Sequence, residues 1–442
     1  MKLLSLLVIS LLISFILVPC GVSYTELQEN KLMENQYDLV IISPRCYSEI
    51  LQKFVEYKNS IGVHTFLKTT EEIYKEYFGF DNQEDIKFFI KDTYDIYNIS
   101  YVLLIGDIRL NPPRYCYNND SYFNKEPYFI SDLYFADLYD NNKNFSSWDS
   151  DQDGLYGEWD GWTAEDHDIS LTPEISIGRL PCCNHNEVKL IIHKIIQYEQ
   201  QKFSKVWFNT FVVAGGDTYS EYTGYNGSQY NKIEGEIYTE EAIQVMKDFS
   251  SIRLWSSLGT LTSFNIITSI NKGCGFVYFS GHGSSSVWLT HPYNSSKQIG
   301  RISNIMMSLL FNGRKLPVCI VGGCHNSQFD KRIQECWSWK LTSKPFGGAI
   351  AAIGCTGLGY NGIEYGGGGN DWLNLQFFKE YRNGTQVLGE IWKQAIFFYL
   401  ETCSIDWNTP NGNKSSLDAK TVQEWVLIGD PSLRIGGYDE NI

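Results

Sequence analysis

The chain has 442 residues, of which 43% are hydrophobic and 20% are charged. This composition is typical of a folded globular protein with a sizeable core, and the length suits about two to three domains. Acidic residues outnumber basic ones by 51 to 36, and the formal net charge is -15. We therefore expect no binding to nucleic acid or to anionic membrane surfaces, since both attract positive charge.

The first 23 residues have the pattern of a secretory signal peptide. Lys2 precedes an apolar run from Leu3 to Val18, and small residues follow at Gly21 and Ser23. A basic start, a short apolar stretch and small residues at the cleavage point are typical of such signals. We therefore expect a secreted, extracellular protein with no stable membrane insertion after the signal is removed. A retained membrane anchor is the alternative, although 16 apolar residues are few for a bilayer span.

Beyond this segment, short apolar runs alternate with longer amphipathic stretches. The alternation predicts an α/β fold of mostly parallel strands with helices on both faces. The predicted strands are Asp38–Ser43, Tyr101–Ile105, Glu174–Ile177, Phe211–Ala214, Phe276–Ser280, Val318–Val321 and Ala349–Ile353. The predicted helices are Glu49–Asn59, Asp85–Tyr97, Asn186–Lys202, Lys232–Asp248, Ser263–Lys272 and Asp371–Arg382. A boundary near residue 205 divides the chain into an N-terminal subdomain (24–204) and a C-terminal subdomain (205–442).

An acidic loop in the N-terminal subdomain, residues 149–160, fits the pattern of a twelve-position calcium loop. Acids stand at the first, third and fifth positions, and Gly154 stands at the sixth. Because closely packed carboxylates repel one another unless a cation neutralises them, we expect a structural Ca²⁺ ion. A solvated acidic loop is the alternative, and Glu158 is a nearby substitute ligand. The predicted ligands are the carboxylates of Asp149, Asp151, Asp153 and Asp160 and the carbonyl oxygen of Leu155.

Two predicted strands each end in a glycine-flanked turn that carries a reactive side chain. Phe276–Ser280 leads into Gly281-His282-Gly283, and Val318–Val321 leads into Gly322-Gly323-Cys324. One helix-length segment, Ile302–Asn312, lies between them, which is the spacing of a β-α-β unit with neighbouring parallel strands. Both side chains would then emerge at the same edge of the sheet. A thiol and an imidazole brought together there form a cysteine-nucleophile site.

Several segments together resemble the gingipain-type cysteine peptidases, which belong with the caspase-like peptidases of the His-Gly…Cys pattern. The resemblance covers about residues 36–436 and rests on a set of short motifs. These are Ile105-Gly106-Asp107, Ile177-Gly178-Arg179, Gln197-Tyr198-Glu199, Gly281-His282-Gly283-Ser284 followed by Trp288, and Ile428-Gly429-Asp430-Pro431-Ser432-Leu433. The resemblance implies a caspase-like, doubly wound fold with two subdomains. It also implies a secreted cysteine endopeptidase that acts on proteins or peptides through an acyl-enzyme.

The resemblance also implies roles for individual residues. Cys324 would be the nucleophile, His282 its acid–base partner, and the N–H of Gly283, with that of Cys324 itself, the oxyanion donor. Family members that cleave after basic residues bind that side chain with an acid located before the histidine loop. Glu234 or Glu236 has this place here and would favour Arg or Lys substrates by charge pairing. Trp288 would form a wall of the same pocket.

Alternatives remain open for each of these roles. His325 and His291 are the other candidate bases. Glu234 and Glu236 could be exposed acids in the first turn of a helix, where acids are favoured. At the level of function, the alternative is a catalytically silent relative, a calcium-stabilised extracellular binding or adhesion protein of the same fold. A third alternative, a transition-metal site formed by His282, Cys324 and His325, lacks a clear fourth ligand.

Overall fold

The computed structural model describes residues 36–119, 126–218, 233–331, 335–362 and 368–438. The predicted signal peptide, residues 1–23, lies outside these ranges. Within them, no helix has both the length and the apolar character that a membrane span requires.

One ten-stranded sheet runs through the described chain, and two small antiparallel sheets flank it. In chain order the strands are β1 (Leu39–Ser43), β2 (Thr65–Thr69), β3 (Tyr101–Ile105), β4 (Arg114–Tyr117), β5 (Tyr128–Ser131), β6 (Ser176–Leu180), β7 (Thr210–Gly215), β8 (Ser250–Trp255), β9 (Phe276–Ser280), β10 (His282–Ser284), β11 (Val287–Thr290), β12 (Ile299–Ser303), β13 (Val318–Gly322), β14 (Ala351–Cys355) and β15 (Trp425–Ile428). The order across the large sheet is β2-β1-β3-β6-β15-β14-β13-β9-β7-β8. All neighbours are parallel except β14 and β15, which confirms the predicted mostly parallel α/β class.

Helices connect these strands. They are α1 (Ser48–Ser60), α2 (Thr70–Glu76), α3 (Asn82–Tyr97), α4 (His185–Gln200), α5 (Lys205–Phe208), α6 (Glu234–Val245), α7 (Ser263–Lys272), α8 (Trp337–Thr342), α9 (Gly369–Asn383), α10 (Leu388–Thr402) and α11 (Lys414–Glu424). Alternate residues of β9 belong to two separate hydrophobic clusters, Phe276 and Tyr278 to one and Val277 and Phe279 to the other. Because successive side chains of a strand point to opposite faces, the sheet is buried on both faces.

The two halves of the chain form the two ends of the large sheet. The four strands before residue 205 meet the six that follow it where β6 pairs with β15, at Arg179 and Ile428. A fully buried cluster of charges also joins the halves. The Nζ atom of Lys58 lies 2.9 Å from Glu199 and 2.7 Å from Asp430. The division at residue 205 into two subdomains stays a prediction.

Three strands of the large sheet and one connection differ from the sequence-based prediction. The strands β2 and β8, at the two edges, and β15 were not predicted. Edge strands are only partly buried, so their polar residues obscure the apolar pattern. The helix predicted over Ile302–Asn312 is wrong. This segment begins within β12, which pairs with β11 in the small sheet β10-β11-β12, and continues into a 3₁₀ turn at Met306–Leu309. Strands β9 and β13 are nevertheless parallel neighbours, as the spacing predicted.

Candidate active site

The turns that follow β9 and β13 are in direct contact at the carboxyl edge of the sheet. The N–H of Gly281 donates to the carbonyl oxygen of Gly322 at 3.0 Å. A Cβ atom placed on Gly323 would lie 3.0 Å from the nitrogen of Gly283, and one placed on Gly283 would lie 2.6 Å from the carbonyl oxygen of Cys324. Any side chain at either position would therefore push the two turns apart. The glycines bring the segments that carry His282 and Cys324 together.

The thiol of Cys324 is half-buried at this edge. Its hydrogen-bond partner is the carbonyl oxygen of Gly359, 3.7 Å from Sγ, in the turn after β14. Burial raises the pKa of Cys324 to about 11, so the thiol is neutral at neutral pH. Of the other cysteines in the described ranges, Cys46 and Cys183 are exposed and the rest are buried. Cys324 is thus a partly accessible thiol in the loop after β13, at the carboxyl edge of the large sheet.

The imidazole of His282 is oriented by the backbone. Its Nε2 atom lies 2.8 Å from the carbonyl oxygen of Thr218, which follows β7. A carbonyl oxygen can only accept, so Nε2 carries the proton, and Nδ1 of the neutral ring keeps a lone pair. Burial lowers the pKa of His282, which favours this neutral ring. The thiol and the imidazole are not hydrogen-bonded to each other in the described chain, and such catalytic contacts often tighten only when substrate binds.

The two other candidate histidines occupy different positions. His325 points to Glu126, with 2.9 Å between Nε2 and Oε2, and its backbone is left-handed with φ +58°. It is therefore directed to a surface acid. The ring of His291 lies beside that of His282, with ring centroids 5.3 Å apart in an edge-to-face arrangement. Its carbonyl oxygen accepts a hydrogen bond from the N–H of Asp217 at 2.9 Å, which connects the histidine loop to the turn after β7.

The two candidate specificity acids differ in their surroundings. Glu234, at the start of α6, is only 7% exposed, and its Oε2 accepts the N–H of Thr218 at 3.2 Å. Burial, with a smaller contribution from Asp217, raises the pKa of Glu234 to about 7. Glu236 instead binds the turn after β8, because it accepts hydrogen bonds from Ser256 and Ser257 at 2.6 to 2.9 Å. Glu234 is thus the buried candidate acid, connected to His282 through the backbone of Thr218, and the alternative of an exposed helix residue is wrong for it.

Trp288 lies beneath the site. It is fully buried, packs on Phe279 with ring centroids 4.8 Å apart, and donates its indole N–H to the carbonyl oxygen of Gly322 at 3.2 Å. Because the ring is fully buried, it does not line an open pocket as predicted. It instead supports the turn after β13 from within the core. Sequence reasoning also missed the carbonyl groups of Thr218 and Gly359. Backbone groups are the same in every residue, so no residue-type signal could have found them.

The acidic loop brings three of its predicted ligands together. Carboxylate oxygens of Asp149, Asp151 and Asp153 all lie within 4.8 Å of one another. Asp160 lies outside this group, since it accepts hydrogen bonds from the side chains of Tyr117 and Asn119. Glu158 interacts with this group electrostatically, because burial and then the charge of Asp153 raise the pKa of Glu158 to about 7. The backbone N–H of Leu155 donates to Asp153 at 2.8 Å within the same turn.

Comparisons with known proteins agree with this architecture. The sequence model described as Peptidase family C25 matches residues 33–436. Gingipain R2 of Porphyromonas gingivalis is 22% identical over 408 residues, which are 90% of this chain and 46% of that relative. The chain thus spans about half the length of that relative. An uncharacterized protein of Archaeoglobus fulgidus is 23% identical over 363 residues, 74% of this chain and 76% of that protein. The crystal structure of the Arg-specific cysteine proteinase gingipain R has a TM-score of 0.64 at 21% identity, covering 91% of this chain and 78% of that one.

Proposed function

Because the chain belongs to peptidase family C25, we propose that it is a secreted cysteine endopeptidase that hydrolyses protein or peptide substrates through Cys324 and His282. The observation that carries the proposal is the contact between the two glycine-flanked turns. It places the thiol and the imidazole on adjoining loops at the carboxyl edge of a parallel sheet, where α/β proteins bind their ligands.

The first step joins the sulfur to the substrate. As Sγ of Cys324 attacks the carbonyl carbon of the scissile peptide bond, Nδ1 of His282 accepts the thiol proton. The negative charge that develops on the carbonyl oxygen is stabilised by the N–H groups of Gly283 and Cys324, and each such donor contributes about 3–4 kcal/mol. His282 then transfers its proton to the departing amine, and the C–N bond breaks. A thioester of Cys324 and a free amine result.

The second step releases the enzyme. Water attacks the thioester carbonyl while His282 accepts one of its protons, and the same N–H groups stabilise the oxyanion. The C–S bond breaks, the proton returns to sulfur, and the carboxylic acid product leaves. Burial raises the pKa of the Cys324 thiol and lowers that of the His282 imidazole. The pair is therefore neutral before substrate binds, and proton transfer accompanies the attack rather than preceding it.

A preference for Arg or Lys before the scissile bond is the second part of the proposal. The buried carboxylate of Glu234 has another acid, Asp217, as its neighbour, and within the described residues no basic side chain forms an ion pair with it. Glu234 and His282 share a hydrogen-bond partner, because the N–H of Thr218 donates to Glu234 and its carbonyl oxygen accepts from His282. A guanidinium or ammonium group of a substrate would supply the missing counter-charge. The similarity to a proteinase described as Arg-specific supports the same preference.

The third part concerns calcium. The three clustered carboxylates of Asp149, Asp151 and Asp153 supply the hard oxygen ligands that Ca²⁺ prefers. We propose Glu158, whose pKa is raised partly by the charge of Asp153, as a further ligand in place of Asp160, which is engaged elsewhere. The ion would neutralise the repulsion within the loop and hold it in place, so its contribution is structural. We expect addition of Ca²⁺ to raise the unfolding temperature and Asp151→Asn to abolish this rise. The exposed Asp168→Asn is the matched control, and an equal rise in all three proteins would contradict the site.

The test of the peptidase is digestion of a peptide library by the wild-type protein, by Cys324→Ala and by Cys46→Ala. Cys46 is an exposed cysteine remote from the site, so its variant controls for loss of a thiol. We expect cleavage after Arg and Lys by the wild type and the control and none by Cys324→Ala. Hydrolysis that persists in the folded Cys324→Ala protein would contradict the assignment. A silent binding protein would hydrolyse no peptide in any form.

A further inference from the structure

Asn326, two residues after the proposed nucleophile, is fully buried between the two loops of the site. Its Nδ2 donates to the carbonyl oxygen of Ser284 at 2.8 Å and to that of Val287 at 3.2 Å. Two carbonyl oxygens can only accept, so the nitrogen of the amide must face them and Oδ1 must face the opposite way. The orientation of the side chain is thus determined by its neighbours.

These two carbonyl groups flank the turn of one β-hairpin. Ser284 is the last residue of β10, the strand that begins with His282, and Val287 is the first residue of β11. They also pair directly with each other across the hairpin. One amide group therefore hydrogen-bonds to both strands of the hairpin. The contact on β10 directly follows His282 and the proposed oxyanion donor Gly283 in the chain. The hairpin cannot slide relative to the cysteine turn without breaking both hydrogen bonds.

The other end of the amide lies against the glycines of the site. A Cβ atom placed on Gly283 would lie 2.1 Å from Oδ1 of Asn326, and one placed on Gly323 would lie 2.5 Å from it. Oδ1 is buried and has no hydrogen-bond partner in the described chain. The two distances place Oδ1 between the turn that contains Gly283 and the turn that leads into Cys324.

We infer that Asn326 is a positioning residue, which fixes the histidine hairpin on the cysteine turn and so sets the distance from Sγ to the imidazole. The inference rests on the proposed peptidase function. The hydrogen bonds of Asn326 go to the hairpin backbone, whereas the candidate specificity acid Glu234 accepts from Thr218 in a different loop. Loss of Asn326 should therefore lower kcat and leave KM for an Arg substrate nearly unchanged. A displacement of about 1 Å between reacting groups lowers a rate by about 100-fold.

The chain offers a matched control in Asn304. Its Nδ2 donates to the carbonyl oxygen of Ser285, at the tip of the same hairpin, at 3.5 Å, and to that of Glu335 at 2.8 Å. Asn304 therefore supports the hairpin without connecting it to the cysteine turn. Asn326→Leu and Asn304→Leu make the same change of shape and polarity. We expect about a 100-fold loss of kcat only in Asn326→Leu.

The deciding experiment is a double-mutant cycle on the alkylation rate of Cys324, measured with and without His282→Ala. We expect His282→Ala to slow labelling in the wild type and in Asn304→Leu, and to have little further effect in Asn326→Leu. Equal effects of His282→Ala in all three backgrounds, or equal losses of kcat in both asparagine variants, would overturn the inference. If Asn326→Leu does not fold, Asn326→Ser replaces it in the cycle with the same expected outcome.

The outcomes for the site and for the inference are distinguishable. If Cys324→Ala is inactive while Asn326→Leu retains the kcat of the wild type, the peptidase stands and the positioning role is wrong. If the wild type hydrolyses no peptide, the peptidase is wrong, and the labelling cycle still decides whether Asn326 couples the imidazole to the thiol.

Discussion

Glu234 and His282 form hydrogen bonds with the same residue, Thr218, one through its N–H and the other through its carbonyl oxygen. The carbonyl oxygen of Thr218 lies 2.8 Å from Nε2 of His282, and its N–H lies 3.2 Å from Oε2 of Glu234. The acid proposed to select the substrate and the base proposed to act on it therefore share one support. A substitution of Glu234 should change KM and a substitution of His282 should change kcat, so their two effects can be measured separately.

The first prediction concerns pH and charge selection at Glu234. Its pKa is raised to about 7, so the carboxylate is lost as the pH falls through this value. KM for an Arg peptide should therefore rise below pH 7, whereas KM for the neutral, similarly shaped citrulline peptide should not. Glu234→Gln should raise KM for the Arg peptide by about 10- to 100-fold at pH 8, the value of a charge-assisted hydrogen bond.

Steady-state kinetics with the two peptides from pH 5 to 9 check this prediction, with Glu236→Gln as the control. Glu236 is bound by Ser256 and Ser257, so its variant should keep the preference for Arg. An unchanged ratio of Arg to citrulline cleavage in Glu234→Gln would show that another group selects the substrate.

The second prediction concerns the protonation state of Cys324. Because burial raises its pKa to about 11, the rate of alkylation by iodoacetamide should increase with pH throughout the range from 5 to 9. His282→Ala should slow labelling at pH 7, since no base then accepts the thiol proton. The assay needs Cys46→Ser and Cys183→Ser in the background, because both thiols are exposed. A constant rate between pH 5 and 8 would indicate a thiolate–imidazolium pair and disprove the neutral pair.

The third prediction separates the two positions considered for Trp288. Trp288→Phe removes the hydrogen bond to the carbonyl oxygen of Gly322, which should lower the free energy of unfolding by about 1 kcal/mol. A supporting position predicts a lower kcat with unchanged KM, and a pocket wall predicts a higher KM. Trp337→Phe is the control, since Trp337 is equally buried and donates to the carbonyl oxygen of Ile302 instead. Urea denaturation and kinetics of both variants distinguish the cases.

The fourth prediction concerns the buried charges that join the two halves of the sheet. Lys58→Met leaves the carboxylates of Glu199 and Asp430 buried without their cation, which should cost about 3–5 kcal/mol of unfolding free energy. The deficit should shrink as the pH falls, because a protonated Glu199 needs no counter-charge. Lys68→Met, which breaks a partly exposed pair with Glu76, should cost less than about 1 kcal/mol. Equal losses in the two variants, measured by denaturation, would contradict this reasoning.

Much of the fold and part of the site could be predicted from local patterns. The apolar runs at Tyr101–Ile105 and Phe276–Ser280 are strands with the predicted bounds, because fully buried parallel strands consist almost entirely of apolar residues. The glycine-flanked turns also follow from sequence, since glycine marks places where backbones must approach closely. The fold class and the family resemblance inferred from these motifs are both confirmed.

Other features depended on packing between distant segments. The helix predicted over Ile302–Asn312 was wrong because pairing with β11 overrides the local helical pattern. Asp160 and Trp288 were predicted as ligand and pocket wall from their place in the chain, yet each is engaged by groups that the sequence does not bring near.

The amino-acid sequence by itself determined which reactive side chains stand at the ends of which strands, because strand periodicity and glycine turns are local properties. Only the tertiary structure decided which of the two candidate acids is buried and connected to the imidazole through Thr218, which backbone carbonyl orients the imidazole, and which asparagine holds the two loops together. These relationships join segments that are far apart in the sequence, such as the 64 residues from Thr218 to His282 and the 42 from Ser284 to Asn326. They are set by how the strands pack into one sheet, and no run of neighbouring residues encodes them.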